Sequence, residues 1–217
     1  MYYCDKGIVL RHRDVNEADV IASIFTLRYG RLEVNFRSAR KSAAKLRPLT
    51  ELFCYGDYRF YLKKYGAMPL CIGGGIISFY TEMRNNLEKM MMFSIISDIV
   101  LSLTPVYQSS EDKFNLILSS LDYLNSTESV SKWFVIVFIM NFLEYYGAGF
   151  KMTNIGYESE LWDLIHRPDF SSLYRLDEYE DLYDDLLDFA TSKLLEHSNR
   201  NFQIRSALKY NNLASQL

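Results

Sequence analysis

Cysteine and histidine are scarce: the 217 residues hold three of each. Cys4, Cys54 and Cys71 are far apart, odd in number and never at CxxC spacing, which argues against a disulfide framework and against a thiolate zinc site. Lone cysteines among apolar neighbours read as small core residues. His12, His166 and His197 form no HExxH-like pattern. A GxxxxGK[ST] phosphate loop is missing, and the glycines at 73–75 lack the lysine and hydroxyl that such a loop needs. There is no GxSxG nucleophile elbow. These absences leave no catalytic centre, no metal site and no cofactor to expect. Long apolar runs are missing too. The longest in a helical region, residues 133–140, falls far short of the roughly 18 residues that cross a bilayer. Residues 1–13 mix charges with apolar side chains and do not read as a signal peptide. A cytoplasmic protein with no membrane partner is expected. No internal repeat or low-complexity linker interrupts the chain.

What is present is aromatic and unevenly charged. Hydrophobic residues make up 49% and charged residues 24%, the proportions of an ordinary globular chain. The 17 tyrosines and 14 phenylalanines favour β structure and flat contact surfaces. Residues 1–70 carry 13 Lys/Arg against 7 Asp/Glu, a net of +6, and the remainder carries 11 against 20, a net of −9. A basic head on an acidic body is the pattern of an anion-binding module joined to an interaction platform. The cations concentrate in YGRLEVNFRSARKSAAKLRPL, residues 29–49, where Arg31, Arg37, Arg40, Lys41, Lys45 and Arg47 stand against a single acid, Glu33.

Period-2 patterning dominates the first eighty residues. Over 31–37, Leu32, Val34 and Phe36 alternate with Arg31, Glu33, Asn35 and Arg37. Residues 20–26 form a preceding apolar strand, with Tyr29-Gly30 as the turn between them. Residues 57–64 alternate again, placing Tyr58, Phe60 and Leu62 inward and Arg59, Tyr61 and Lys63 outward. Residues 7–10 and 69–78 supply two more strands, the latter bent at its three glycines. Five short strands, each polar on one face, predict a small barrel such as an OB-fold. After Tyr80 the period becomes helical. Helices are expected over 82–103, stopped by Pro105, over 112–124, over 128–146, ended by Gly147 and Gly149, and over 176–196. The third is almost wholly apolar in its middle, as for the buried helix of a bundle. The last is acidic, with Asp177, Glu178, Glu180, Asp181, Asp184, Asp185 and Asp188. Residues 150–170 read as irregular. The fold class is therefore α+β, with an OB-fold barrel at 1–80 followed by an α-helical domain at 81–217.

The segment GIVLRHRDVNEADVIASIFTLRYGRLEVNFRSARKSAAKLRPLTEL, residues 7–52, resembles the opening of the RecO family of DNA-repair mediators. That family shows a strand, an xxExDxxxxxFTxxxG segment and a basic GxR+xxSxxxxxLxP loop. The matching residues are Glu17, Asp19, Phe25, Thr26, Gly30, Arg40, Lys41, Ser42, Leu46 and Pro48. Ser38 or Ala39 stands where the family has a glycine. LLEHSNRNFQIRSALKY, residues 194–210, is similar to the family's closing helix and LxSxxxL tail, through Ile204, Ser206 and Leu208. FLEYYGAGFKM, residues 142–152, is similar to the LLxxLGxxPxL that ends its helical bundle. Many family members follow that bundle with a four-cysteine zinc finger. Here 150–170 holds no cysteine, only His166, and an apolar turn of Tyr157, Leu161, Trp162, Leu164 and Ile165 is expected instead.

The resemblance implies an OB-fold that binds single- and double-stranded DNA and anneals complementary strands. It further implies that, with RecR, the protein helps load RecA onto strands coated with single-stranded-DNA-binding protein, whose C-terminal tail is another partner. The setting it implies is a bacterial cytoplasm, in association with the nucleoid. The residues support binding independently. Arg31, Arg37, Arg40, Lys41, Lys45 and Arg47, with Arg59, Lys63 and Lys64, are expected to contact phosphates. Tyr61, between Arg59 and Lys63, is placed to stack a base. The loop 40–47, rich in small residues, is expected to have little to pack and to order itself along a phosphate backbone. A groove for the acidic-apolar tail is expected around Phe142, Tyr145, Tyr146 and Phe150. The alternative is a non-catalytic scaffold whose basic barrel face binds an acidic protein segment, such as that at 177–188.

Overall fold

Alternating burial closes the first five strands on themselves. The computed structural model describes residues 1–148, 159–167 and 170–198. The strands are β1 (Tyr2–Val15), β2 (Asp19–Thr26), β3 (Gly30–Phe36), β4 (Tyr55–Tyr61) and β5 (Leu70–Ser78). They form a closed barrel in the order β1-β2-β3-β5-β4. In β3, Leu32, Val34 and Phe36 are fully buried while Arg31, Glu33 and Asn35 are half-buried on the outer side, as period 2 requires. Tyr58 and Phe60 of β4 enter the same core, their rings stacked at 5.9 Å. Leu62 lies past the end of β4 and is only half-buried, its amide bonded to the Met1 carbonyl at 2.9 Å.

β1 is far longer than the apolar run at 7–10. Its first half pairs with β4 and its second half with β2, and the register slips between Val9 and Arg11. That slip breaks the alternation, so the strand's full extent is not visible as a simple period. Cys54 and Cys71 are core residues, and burial pushes the Cys71 thiol up to about 11. Cys4 is exposed on β1, opposite Arg59, and is not the core residue expected of it.

Contacts divide the chain into two compact units. One is Met1–Thr81 with Thr104–Phe114, and the other is Glu82–Leu103 with the described residues from Asn115 onward. The segment after Leu103 thus belongs with the barrel. The Tyr107 amide bonds to the Arg31 carbonyl at 2.9 Å, and Val106 bridges β3 at Arg31 in parallel.

The helices are α1 (Thr81–Arg84), α2 (Leu87–Leu103), α3 (Glu111–Ser126), α4 (Phe134–Tyr146), α5 (Ser159–Ile165) and α6 (Tyr183–His197). The helix expected at 82–103 is interrupted at Asn85–Asn86. There the Asn86 carboxamide accepts the Lys89 amide at 3.1 Å and caps a new start. Phe134–Leu143 of α4 is buried throughout, and α4 packs against α2, α5 and α6. Gly147 ends α4 at φ 91°: its amide reaches the Glu144 carbonyl and the Ala148 amide the Leu143 carbonyl, a Schellman closure. Gly149 lies outside the described residues. The acidic stretch is not one helix, because Leu173–Leu182 is 3₁₀ with a kink at Tyr179 before α6 begins.

Where a turn was expected, α5 forms. Leu161 and Ile165 are fully buried and Leu164 nearly so. Asn141 of α4 donates to the Val137 carbonyl at 2.8 Å and to the Ile165 carbonyl at 2.7 Å, tying the end of α5 to the bundle. Trp162 is half-buried, and Tyr157 lies outside the described residues. Apolar burial and the buried Asn141 amide thus anchor α5 to α4. Dialysis against a strong chelator is expected to leave the melting temperature unmoved; a fall would show that a metal contributes to folding.

Candidate nucleic-acid interface

The barrel's topology collects cations at one end. Asn35, near the end of β3, pairs with Leu70 at the start of β5, and its amide bonds to the Pro69 carbonyl at 2.9 Å. Leu70 also pairs with Tyr61 at the end of β4, which pairs with Tyr2 at the start of β1. Arg37, leaving β3, and Lys63 and Lys64, approaching β5, therefore issue from the same end. All three are exposed.

The loop after β3 is built from successive turns. The Ser38 amide bonds to Asp19 Oδ1 at 2.8 Å, the Lys41 amide to the Ser38 carbonyl at 3.2 Å, and the Ala44 amide to the Lys41 carbonyl at 3.0 Å. The Arg47 amide follows, bonding to the Ala44 carbonyl at 3.1 Å, and Arg47–Thr50 is a 3₁₀ turn. Ala39 is fully buried, and Leu46 packs on the barrel core. The expectation of a loop with little to pack is corrected by these contacts: two apolar anchors, Ala39 and Leu46, and a chain of turns give it a shape of its own. Arg37, Lys41, Lys45 and Arg47 point to solvent from that frame and, among the described residues, make no ion pair.

Other cations in the set have internal partners. Arg40 meets Asp14 Oδ2 at 3.1 Å and reaches the carbonyls of Asn16 and Glu17 at 3.4 and 3.3 Å, so it holds the loop to the β1–β2 turn. Arg31 lies at the far end of β3, a strand length of roughly 20 Å from Arg37. It donates to the Thr104 carbonyl at 2.9 Å and lies 3.6 Å from Glu33 Oε1, which itself accepts from Ser23 at 2.8 Å. The single acid of the basic stretch thus belongs to a small polar cluster around Arg31, away from the cationic end. Arg59 faces outward from β4 over Gly73, where a Cβ would lie 2.8 Å from Nη2.

Tyr61 is half-buried because Tyr2 packs on it, ring centroids 5.0 Å apart. Tyr2 is 74% exposed and had no sequence signal of its own. Only its cross-strand register with Tyr61 identifies it as the outer member of an aromatic pair. A groove was expected around Phe142, Tyr145, Tyr146 and Phe150. Phe142 is fully buried and stacks on Phe138 at 5.6 Å, while the Tyr146 ring contacts His197 and Phe150 lies outside the described residues.

Two of the groups whose titration burial raises, Cys71 and Tyr58, belong to the barrel core. Burial holds the Tyr58 hydroxyl well above its ordinary range, where it donates to the Leu49 carbonyl at 3.2 Å. Among the described residues no cluster of His, Cys, Asp and Glu is disposed to hold a metal. No described helix is long and apolar enough to cross a membrane.

A closed five-stranded barrel of this strand order, with exposed cations at one end and a helical unit following it in sequence, defines an OB-fold protein of the α+β class. Two family models match in sequence order: Recombination protein O N terminal over residues 1–71, and Recombination protein O C terminal over residues 84–155. The chain belongs to the RecO family. It is 33% identical over 152 residues to the DNA repair protein RecO of Clostridium perfringens, covering 68% of this chain and 59% of the relative. It is 30% identical over 125 residues to the DNA repair protein RecO of Halalkalibacterium halodurans, covering 58% of this chain and 48% of the relative. The chain thus matches about half to three fifths of the length of these relatives.

Proposed function

We propose that this protein is a non-catalytic DNA-repair and recombination mediator that binds single- and double-stranded DNA through the cationic end of its barrel. The observation that carries the reading is the set Arg37, Lys41, Lys45 and Arg47, exposed, without ion pairs among the described residues, and held on an ordered loop at the same end as Lys63 and Lys64. Unpaired cations on a fixed frame give up little when they meet phosphates, and such contacts are independent of sequence. Arg59 and the Tyr2–Tyr61 pair extend the surface along β4 with a stacking platform. Arg31 and Arg40 serve this surface by fixing the barrel and the loop.

On this reading the protein anneals complementary strands by screening their mutual repulsion. With RecR it assists RecA to load onto strands coated with single-stranded-DNA-binding protein, whose acidic-apolar tail is a partner of the helical unit. These roles follow family membership, and they suit a cytoplasmic, nucleoid-associated protein. The test is a mobility shift with a labelled oligonucleotide together with an annealing time course. Stoichiometric binding and accelerated annealing are expected. An oligonucleotide that stays free at micromolar protein and low salt would favour the scaffold reading, in which exposed Asp181, Asp184, Asp185 and Asp188 supply the complementary acidic surface.

A further inference from the structure

The turns after β3 enclose an open notch of about 240 Å³, lined by Arg37, Ser38, Lys41, Ala43, Ala44, Lys45 and Leu46. Its composition is unlike that of a simple phosphate track. Three cations stand at its edge with no acid among the lining residues, while Ala43, Ala44 and Leu46 give it an apolar surface. A neighbouring cleft of about 360 Å³ is different: there Arg40 and Arg47 are balanced by Asp14 and Glu51 beside His12 and Thr50. That cleft has no net charge to offer an anion. The notch does.

We propose that the notch seats one unpaired base of a single strand while Arg37, Lys41 and Lys45 hold the phosphates on either side. The inference rests on the nucleic-acid reading above and specifies which form of nucleic acid this part of the surface selects. A volume below the roughly 300–1,000 Å³ of pockets that enclose drug-sized ligands suits one planar ring rather than a whole nucleotide. Methyl groups reward a flat apolar face regardless of the base's identity, because every base has such a face. Leu46 packs on the barrel core, and the hydrogen bonds of the Ser38, Lys41 and Ala44 amides fix the walls, so the seat exists before the ligand arrives. The Tyr2–Tyr61 pair and Lys63–Lys64 lie at the same barrel end. Cations interleaved with apolar or aromatic patches are the pattern that follows a strand whose bases are splayed out. A duplex keeps its bases stacked inside and presents only phosphates to the notch.

The experiment compares fluorescence anisotropy of a short oligothymidylate, an abasic oligomer of equal length and charge, and a duplex of the same length. The parent protein is expected to bind the thymidylate roughly fivefold more tightly than the abasic strand, the effect of burying one apolar face. Ala44→Leu fills the notch from within and keeps every charge. It is expected to erase that preference and to lower the ratio of single-strand to duplex affinity by a similar factor. Ala43→Leu, at an exposed position, serves the same purpose if Ala44→Leu lowers the melting temperature. Equal binding of thymidylate and abasic strands by the parent overturns the base seat while leaving phosphate binding intact, as does a filled variant that keeps the preference. Failure of all three ligands to bind overturns the nucleic-acid reading, and the seat with it.

Discussion

Replacing Arg37, Lys41, Lys45 and Arg47 together by alanine is expected to weaken single-strand binding roughly a hundredfold at low salt and to flatten its salt dependence. Each released counterion contributes to the slope of log K against log salt, about −0.7 per phosphate neutralised on a single strand. Five phosphate contacts in the parent give a slope of about −3.5, and one or two remaining contacts a slope near −1. The four side chains are exposed and make no ion pair among the described residues, so their loss removes little from the folded state. The melting temperature should therefore move by only a few degrees. Annealing should slow in step with affinity, since both depend on neutralising phosphates. Arg40 stays in this variant because it holds Asp14, and its removal would mix loop anchoring with charge. A variant with the parent's affinity and slope would place the phosphate contacts elsewhere.

Gly30→Ala is expected to be the most damaging small substitution in the barrel. Gly30 sits at φ 66°, and a Cβ built there would lie 1.9 Å from the Gln108 carbonyl oxygen and 2.3 Å from its carbon. The left-handed backbone alone costs an alanine about 1 kcal/mol. The clash is with main chain, so residues 104–108 must lift away from β3. Two bonds are then lost, Tyr107 amide to Arg31 carbonyl and Arg31 guanidinium to Thr104 carbonyl, both 2.9 Å long. At about 1 kcal/mol each the total approaches 3 kcal/mol, or a drop of roughly 10 °C in melting temperature. Gly147→Ala separates the two causes. Its φ is 91° but nothing lies within 4 Å of the added carbon, so only the conformational cost of about 1 kcal/mol applies. Equal losses at the two positions would mean that the approach of Gln108 to Gly30 does not matter.

The barrel was legible because its strands are polar on one side. Leu32, Val34 and Phe36 announce β3 by alternation alone, and the basic loop follows them in sequence. The parts that were not legible depend on pairings distant in the chain. Arg31 reads as one more surface cation until the Thr104 carbonyl, seventy-three residues later, accepts a hydrogen bond from its guanidinium and Glu33 lies beside it. Arg40 looks like Lys41 in sequence, yet Asp14 holds the one and not the other. Tyr2 becomes part of an aromatic pair only through its register with Tyr61. The helical half shows the same limit. The apolar run of α4 gave its burial directly, whereas the start of α2 depended on a side-chain cap at Asn86 and the kink at Tyr179 on backbone angles that no periodicity encodes.

Photocrosslinking a halogenated oligothymidylate to the protein, followed by digestion and mass spectrometry, tests most directly where nucleic acid lies. Crosslinks are predicted in the loop from Arg37 to Arg47 and at Tyr2, Tyr61, Lys63 and Lys64, and they should fade as salt rises. Crosslinks confined to the helical unit, or to the segment carrying Arg200, Arg205 and Lys209, would contradict the assignment of the barrel's cationic end as the binding surface.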